Sequence, residues 1–229
     1  MTIFQINKLT LHIFPELESP SLASHFTSDF VGTKCLCSNE LLLTESFSKK
    51  RLSHFCTGRF SAKVALKKLG IENYGILAGP DGEPIWPEGI VGSISHCNDL
   101  AGAIVTNDPK IKSIGLDIER TNRVKHKMWN MCFTIKEKEF LNHIENSELN
   151  YYTTLLFCLK ESFYKAQYPI TKNELWFTDI EISKMNTTFK LKVFKDNYEL
   201  DTSTLQMDYR YLQSINSIVT YCSILNDSK

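Results

Sequence analysis

A helix-forming segment followed by several short β-forming segments occurs twice along this chain, and this order restricts the folds available to it. In residues 51–70, apolar side chains recur with the spacing of one helix face, at Phe55, Ala62, Leu66 and Leu69. A second helix is predicted for residues 151–167, because Pro169 follows and proline ends helices. Helices and strands in separate blocks predict an α+β protein.

The β-forming segments come in two groups. The first group contains residues 90–95, 100–105 and 112–119, and the turn residues between them predict an antiparallel meander. The second group contains residues 177–183, 188–194, 205–214 and 218–225. Two arrangements agree with this order, a duplicated pair of α+β subdomains and a single α+β domain without internal symmetry, since no repeat of individual residues links the halves.

The charge and cysteine content exclude several classes of function. The 229 residues include 26 Lys and Arg and 26 Asp and Glu, so the overall basic field of a nucleic-acid binder is absent. The seven cysteines are scattered and form no Cys-x-x-Cys pair, which favours free thiols in a cytoplasmic protein over a disulfide framework or a zinc site. No apolar stretch approaches the roughly 18 residues that cross a bilayer, so neither export nor a membrane span is expected.

The strongest chemical signal lies in residues 113–119, where apolar residues alternate with a polar set. A strand places Asp117 and Glu119 on the same face, with Cα atoms separated by about 6.6 Å. Gly115 lies on that face too and is expected to leave it open. Carboxylates at this spacing can share a hard divalent cation, and the alternative is an exposed strand face with solvated acids.

The second predicted helix carries a polar side opposite an apolar stripe. The polar side holds Lys160, Glu161, Tyr164 and Lys165. Glu161 and Lys165 are one helical turn apart, so the alternative to a chemical role is a surface ion pair that stabilises the helix by about 0.3–0.5 kcal/mol.

Two further patterns suit phosphate groups. Residues 91–97 predict a strand that ends at a turn, where Ser95 and His96 can donate hydrogen bonds to phosphate oxygens. Cationic side chains, which bind phosphate well, recur at spacings of four or eight residues on the first helix, at Arg51, Arg59, Lys63 and Lys67. Taken singly, these patterns also fit a structural histidine and a solvated helix face.

In their order and spacing these patterns resemble the phosphopantetheinyl transferases of the group that activates the surfactin and enterobactin synthetases. The resemblance covers roughly residues 51–182. It rests on Arg-x-x-x-Phe-x-x-Gly-Arg from residue 51 with the helix to Gly70, Pro84-Ile85-Trp86-Pro87, Gly92-Ser93-Ile94-Ser95-His96, Gly115-Leu116-Asp117-Ile118-Glu119 and Lys160-Glu161-Ser162-Phe163-Tyr164-Lys165. The chain departs from many members in having Ala78 and Glu83 in the Gly/Pro-rich loop, where a lysine is frequent.

The resemblance implies two similar α+β subdomains, each a helix packed on an antiparallel sheet, related by a pseudo-twofold axis with the active site between them. The boundary between the two subdomains is expected after residue 120, so that one contains residues 1–120 and the other residues 121–229. The implied reaction transfers 4'-phosphopantetheine from coenzyme A to a serine of an apo acyl, peptidyl or aryl carrier protein and releases adenosine 3',5'-bisphosphate. Such an enzyme is expected to be monomeric and to act in siderophore, nonribosomal peptide or polyketide biosynthesis.

By position, the resemblance also implies roles for individual residues. Asp117, Glu119 and Glu161 match the ligands of a magnesium ion. Glu161, Lys160 and His96 match catalytic residues, the first two being implicated in deprotonating the serine. The residues that match coenzyme A contacts are Arg51, Arg59, Ser95, His96, Lys160 and Lys165.

Two other functions compete with this interpretation. A non-catalytic coenzyme A or nucleotide-binding module on the same fold would be expected to lack a metal carboxylate or the lysine beside it, and all of these are present. A metal-dependent phosphohydrolase needs a water-activating group and often a second metal cluster, and the sequence shows no further His and Asp grouping with that spacing.

A carrier protein, usually acidic, would need a docking surface. The sequence offers one basic and apolar strip, formed by Arg123, Lys125, Lys127, Met128 and Trp129. An ordinary linker between the two halves explains the same residues equally well.

Overall fold

Residues 13–15, 18–185 and 188–226 are described by the computed structural model of the protein. The chain divides into two compact units, Met1–Pro109 and Lys110–Lys229. Each unit has a hydrophobic core of its own. Within the described ranges, no helix is long and apolar enough to cross a bilayer.

The first unit packs a long helix against a three-stranded antiparallel sheet. In chain order it contains β1 (Leu22–Thr27), α1 (Ser38–Leu42), α2 (Lys49–Lys68), β2 (Val91–His96) and β3 (Ala101–Thr106). The strands lie in the order β1-β3-β2, and Thr106 of β3 is opposite both Leu22 and Val91. Helix α2 packs on all three strands.

The helix predicted for residues 51–70 is confirmed as α2. Ser48 begins it by accepting a hydrogen bond from the backbone N–H of Arg51 at 3.3 Å. Gly70 follows its last turn with a φ of 80°, a conformation that glycine adopts without strain. The predicted apolar face is buried at Ala62 and Leu66, which places this face in the core of the unit.

His25 on β1 is buried against the ring of Phe60, with 5.6 Å between the ring centroids. Burial, together with the charge of Lys68, lowers the pKa of His25 from 6.5 to about 4. The folded protein therefore keeps His25 neutral at pH values where the unfolded chain protonates it, so acid favours the unfolded state.

We expect this histidine to destabilise the protein as the pH falls from 6.5 to 4. Its share of the free energy of unfolding lost over that range is about 3 kcal/mol, measured by urea unfolding at each pH. The His25→Gln variant, which cannot gain the charge, should lose this part of the pH dependence. An identical pH dependence in both proteins would contradict the prediction.

The second unit repeats the plan of the first with a longer central helix. In chain order it contains β4 (Ile111–Arg120), α3 (Trp129–Cys132), α4 (Ile135–Asn142), α5 (Asn146–Thr171), β5 (Ile180–Met185), β6 (Thr188–Val193), β7 (Leu205–Leu212) and β8 (Ser217–Leu225). Its main sheet has the order β4-β8-β7, and β5 pairs with β6 separately. Because β4, β8 and β7 correspond in order to β1, β3 and β2, the predicted α+β class with two similar subdomains is confirmed.

The predicted meander of three β segments is wrong. The first two segments form the hairpin β2-β3, but the third, β4, pairs along its length with the C-terminal strand β8. This pairing makes β4 part of the second unit, so the compact units divide after Pro109, whereas the sequence analysis places the division after residue 120. Asp117 and Glu119 therefore belong to the same unit as α5.

The second long helix extends beyond both of its predicted ends. Helix α5 starts at Asn146 and continues through Pro169 to Thr171. Proline lies in its last turn, where the missing N–H removes only one helical hydrogen bond. Lys172 ends the helix in the left-handed conformation, with a φ of 52°. Its N–H donates to the Tyr168 carbonyl oxygen at 2.9 Å.

Candidate active site

Strand β4 and helix α5 approach each other closely at Gly115. A Cβ atom on this residue would lie 1.9 Å from the carbonyl oxygen of Ser162 and 2.7 Å from the backbone nitrogen of Ala166. Only glycine fits such a contact. The prediction that Gly115 leaves its face of the strand open is wrong, since the backbone of α5 covers it. The contact places helix residues 161 and 165 beside the acids of the strand.

Asp117 and Lys165 form the centre of the candidate site. Asp117 is 4% exposed, and Lys165 Nζ donates to its Oδ1 at 2.7 Å and to the Leu116 carbonyl oxygen at 3.1 Å. Glu119 and Glu161 lie near enough for the charge of Asp117 to act on both. The structure thus brings together four of the predicted site residues, and we call them the acid cluster: Asp117, Glu119, Glu161 and Lys165.

The two glutamates of the acid cluster resist ionisation. Burial, and then the charge of Asp117, raises the pKa of Glu119 from 4.5 to about 7, although Arg123 Nε donates to its Oε1 at 3.2 Å. The same two causes raise the pKa of Glu161. Burial alone would lower the pKa of Lys165, but attraction to Asp117 and Glu161 outweighs it and raises that pKa. Three acids face one ammonium and one guanidinium, so further positive charge would stabilise the cluster.

The donor chemistry of the acid cluster fits a magnesium ion, although its side chains do not form a closed ligand set. Carboxylate oxygens are ligands that Mg²⁺ takes in proteins. A divalent cation would relieve the repulsion from Asp117, which after burial is the second cause that raises the pKa of Glu119 and Glu161. In the part of the chain that the structure describes, no three His, Cys, Asp or Glu side chains are grouped so that they could hold a metal ion together. Lys165 is the cation bonded to Asp117 in this arrangement.

Lys160 lies apart from the acid cluster, and its predicted place on the polar side of the helix is wrong. Its side chain is 0% exposed, and its ammonium donates to Glu137 Oε2 at 2.6 Å. Helix α5 is buried around this residue because β5 and α4 pack on it in addition to the main sheet. The amphipathic pattern of one helix does not show which other elements pack on it, so the burial of Lys160 could not be predicted from that pattern.

A groove of about 590 Å³ opens beside Glu161. Aromatic side chains line it, among them Phe157 and Phe177, whose rings stack with centroids 4.9 Å apart. Trp176, also in the lining, is 78% exposed. This groove is not among the features predicted from the sequence, although the apolar run Leu175-Trp176-Phe177, which two residues separate from β5, is a signal for it.

The strip considered for carrier docking is not a continuous surface. Trp129 is buried in the core of the second unit. Arg123 is bonded to Glu119 and lies over the Phe157 ring at 5.4 Å. Arg123 therefore belongs to the surroundings of the acid cluster, and Trp129 to the core.

Two further candidates lie at the end of β2 in the first unit. His96 is exposed, whereas Ser95 is buried, because consecutive strand residues face opposite sides. The two side chains therefore lie on opposite faces of β2. The ring of His96 lies 4.4 Å, between centroids, from that of His54 on α2, which the sequence analysis did not select.

The cationic stripe predicted on α2 is divided by burial. Arg59 is buried, its Nε donates to the Ile76 carbonyl oxygen at 2.9 Å, and burial lowers its pKa from 12.5 to about 10. Lys63 is also engaged, in an ion pair with a buried glutamate. The exposed members of the stripe are Arg51 and Lys67.

Comparison with known proteins identifies the family. The family model described as "4'-phosphopantetheinyl transferase N-terminal domain" matches residues 39–106, and the one described as "4'-phosphopantetheinyl transferase superfamily" matches residues 113–214. The 4'-phosphopantetheinyl transferase PptT of Mycobacterium tuberculosis is 32% identical over 202 residues, which covers 87% of this chain and 88% of that protein. The chain belongs to the 4'-phosphopantetheinyl transferase superfamily. The predicted family is confirmed.

Other members of the superfamily give shorter matches. The phosphopantetheinyl transferase Svp of Streptomyces mobaraensis is 36% identical over 58% of this chain and 55% of that protein, and enterobactin synthase component D of Escherichia coli is 32% identical over 60% and 64%. The chain thus matches less than two thirds of the length of these two relatives. Among solved structures, the holo-[acyl-carrier-protein] synthase of Thermotoga maritima has a TM-score of 0.42 at 24% identity, over 52% of this chain and 66% of that one.

Both matched segments of this phosphopantetheinyl transferase contain candidate site residues. Residues 39–106 include Arg51, Arg59, Ser95 and His96. Residues 113–214 include the acid cluster, Lys160 and the lining of the groove. The segments that identify the superfamily are therefore the segments that carry the candidate chemistry.

Proposed function

We propose that this phosphopantetheinyl transferase moves the 4'-phosphopantetheine arm of coenzyme A onto a serine of an apo acyl, peptidyl or aryl carrier protein. Adenosine 3',5'-bisphosphate is released, and the activated carrier serves siderophore, nonribosomal peptide or polyketide biosynthesis. The observation that carries this proposal is the acid cluster, in which Asp117 lies 2.7 Å from the Lys165 ammonium, in a chain of this superfamily.

The proposed metal is Mg²⁺, held by Asp117, Glu119 and Glu161. Bound there, it supplies positive charge against the diphosphate of coenzyme A during phosphoryl transfer. Support comes from the surplus of acids in the cluster, where burial, and then the charge of Asp117, raises the pKa of Glu119 to about 7.

Lys165 and Glu161 have the proposed charge-stabilising and proton-accepting roles. The Lys165 ammonium, held by Asp117, offers positive charge to the diphosphate and stabilises the leaving oxygen. Glu161, whose pKa is raised by burial and by Asp117, takes the proton of the serine hydroxyl. The serine oxygen bonds to the β-phosphorus while the bond from that phosphorus to the bridging oxygen breaks. The bridging oxygen leaves with the adenosine bisphosphate.

The remaining parts of coenzyme A are assigned to other groups. His96, exposed at the end of β2, is the proposed contact of the diphosphate, and the exposed Arg51 is the proposed contact of the 3'-phosphate. Ser95, buried on the other face of β2, would act only indirectly, by holding the strand that carries His96. Arg59, buried and bonded to the Ile76 carbonyl, would act indirectly by holding the helix that carries Arg51.

The aromatic groove beside Glu161 is the proposed site of the pantetheine arm. The arm is uncharged and partly apolar, which suits walls formed by Phe157, Tyr164, Trp176 and Phe177. Glu161 itself lines the groove, so an arm bound there would present its phosphate end to the acid cluster.

The proposed location of the enzyme is the cytoplasm, where it acts as a monomer. The cysteines Cys35, Cys37, Cys56, Cys97, Cys132, Cys158 and Cys222 are free thiols. Free thiols suit a reducing compartment, and the monomeric state follows from the resemblance to the surfactin and enterobactin type.

Removal of divalent cations is expected to stop the transfer. EDTA should slow the formation of modified carrier at least about a hundredfold, because the charge of the diphosphate is then no longer neutralised. Excess MgCl₂ should restore the rate, measured by intact mass of the carrier. Unchanged circular dichroism in EDTA would separate loss of the metal from unfolding, and an undiminished rate in EDTA would refute the metal site.

A further inference from the structure

A buried carboxylate in the second unit joins three segments of chain. Glu137, near the start of α4, is 2% exposed. Its Oε2 accepts the Thr134 N–H at 2.9 Å and the Lys160 ammonium at 2.6 Å, and its Oε1 accepts the Ile182 N–H at 2.8 Å. The carboxylate thus caps α4 and connects it to β5 and to α5.

The ammonium of Lys160 completes this connection. Besides Glu137, it donates to the carbonyl oxygens of Cys132 at 3.0 Å and Phe177 at 2.8 Å. All three hydrogen-bond positions of the Lys160 ammonium are therefore taken by these acceptors, none of which belongs to the acid cluster. Cys132, Phe177 and Lys160 all line the groove beside Glu161, so these bonds join two of its walls to α5.

The first unit contains the same arrangement. Glu40, near the start of α1, is 0% exposed and accepts the Cys37 N–H at 2.8 Å and the Ile76 N–H at 2.9 Å. Lys63 of α2 donates to Glu40 at 2.5 Å and to the Cys35 carbonyl at 2.8 Å. Each unit therefore pairs a capping glutamate of a short helix with a lysine of its long helix.

The sequence spacing of the two arrangements is identical. In both, 23 residues separate the glutamate from the lysine, and 28 residues separate the cysteine carbonyl from the lysine. This residue-level repeat escaped the sequence analysis. The repeat extends to a second lysine, since Lys68 donates to the Ser24 carbonyl as Lys165 does to the Leu116 carbonyl. The residue after that carbonyl differs: it is His25 in the first unit and Asp117 in the second.

We propose that Lys160 and Glu137 are positioning residues of the transfer reaction and that Lys160 is not the base that deprotonates the serine; this inference rests on the proposed function. The first unit contains the corresponding pair, Glu40 and Lys63, although it has His25 in place of Asp117. A pair of this kind therefore forms without an acid cluster beside it. In the second unit the pair sets the separation of the groove walls that would bind the pantetheine arm.

The test measures coenzyme A binding separately from turnover. Lys160→Met keeps the length of the side chain but removes its three hydrogen bonds, so the groove walls are no longer held. The Kd for coenzyme A, measured by isothermal titration calorimetry with MgCl₂, should rise about tenfold. The kcat at saturating coenzyme A should stay within about threefold of wild type, because the acid cluster is unchanged.

A second variant tests the other side of the pair. Glu137→Gln is isosteric and weakens the bond to Lys160, so it should raise the same Kd by about threefold with kcat preserved. A fall in kcat of more than about a hundredfold at unchanged Kd, in either variant, would show that the pair takes part in the chemistry and would overturn the proposal.

Lys63→Met supplies the matched control, since it breaks the corresponding pair in the first unit. It should lower Tm about as much as Lys160→Met while leaving the Kd within about twofold. An equal rise of the Kd in both lysine variants would overturn the proposal. Measuring the Kd for coenzyme A requires no carrier protein. If the wild-type enzyme modified no carrier, the proposed function would be refuted, but the Kd values of the variants would still decide whether the pair shapes the coenzyme A site.

Discussion

The Asp117→Asn variant is expected to modify carrier protein about a thousandfold more slowly than wild type. Asparagine keeps the size of the side chain and can still accept a hydrogen bond from Lys165. It removes the negative charge at the centre of the acid cluster, which costs the proposed metal a ligand and Lys165 its counter-charge. The rate is measured by intact mass of the carrier at saturating MgCl₂, so that weaker metal binding alone does not explain the loss.

Asp208 offers a matched control for this variant. It forms an ion pair of the same length, 2.7 Å, with Arg210 on β7 of the same unit, but its side chain is 40% exposed. Asp208→Asn should leave both rate and Tm unchanged, since an exposed pair contributes little. If Asp117→Asn kept a rate within about tenfold of wild type, a central role for Asp117 in charge neutralisation would be untenable.

The Gly115→Ala variant is expected to lose about 3 kcal/mol of folding stability. The added methyl group would lie 1.9 Å from the Ser162 carbonyl oxygen, so α5 would have to move away from β4. In a chain of this size the loss corresponds to a fall in Tm of about 10 °C, measured by calorimetry. Activity should fall as well, because the same contact holds Glu161 and Lys165 beside Asp117.

Gly32 is the control for this substitution. A Cβ atom there would meet no other atom within 4 Å, so Gly32→Ala should change the stability by less than about 0.5 kcal/mol. Equal Tm values for the Gly115 and Gly32 variants would show that the close approach of β4 and α5 does not limit the residue at position 115.

The elements of the fold follow from local signals, whereas the pairing of its strands does not. Helix α2 was predictable because its apolar face and its terminal glycine lie within one segment. The meander failed because β4 pairs with β8, which is distant in sequence, and turn residues next to β4 carry no information about that partner. The predicted end of α5 failed because a proline in a last turn costs only one hydrogen bond.

The acid cluster was predictable to the extent that it depends on periodicity. Alternation on β4 put Asp117 and Glu119 on one face, and the helical turn put Glu161 near Lys165. The buried state of Lys160 was not predictable, because it depends on Glu137 from another helix and on carbonyl groups at Cys132 and Phe177. For the same reason the repeat of this arrangement around Glu40 was visible only in the structure.

The most direct test of the central claim is the mass of a carrier protein after incubation with this enzyme, coenzyme A and MgCl₂. A panel of apo acyl, peptidyl and aryl carriers should include at least one whose intact mass increases by one phosphopantetheine group. Adenosine 3',5'-bisphosphate should form in equal amount, and replacing the acceptor serine of that carrier by alanine should prevent both changes. Absence of the mass increase on every carrier, with a folded enzyme, would contradict the claim.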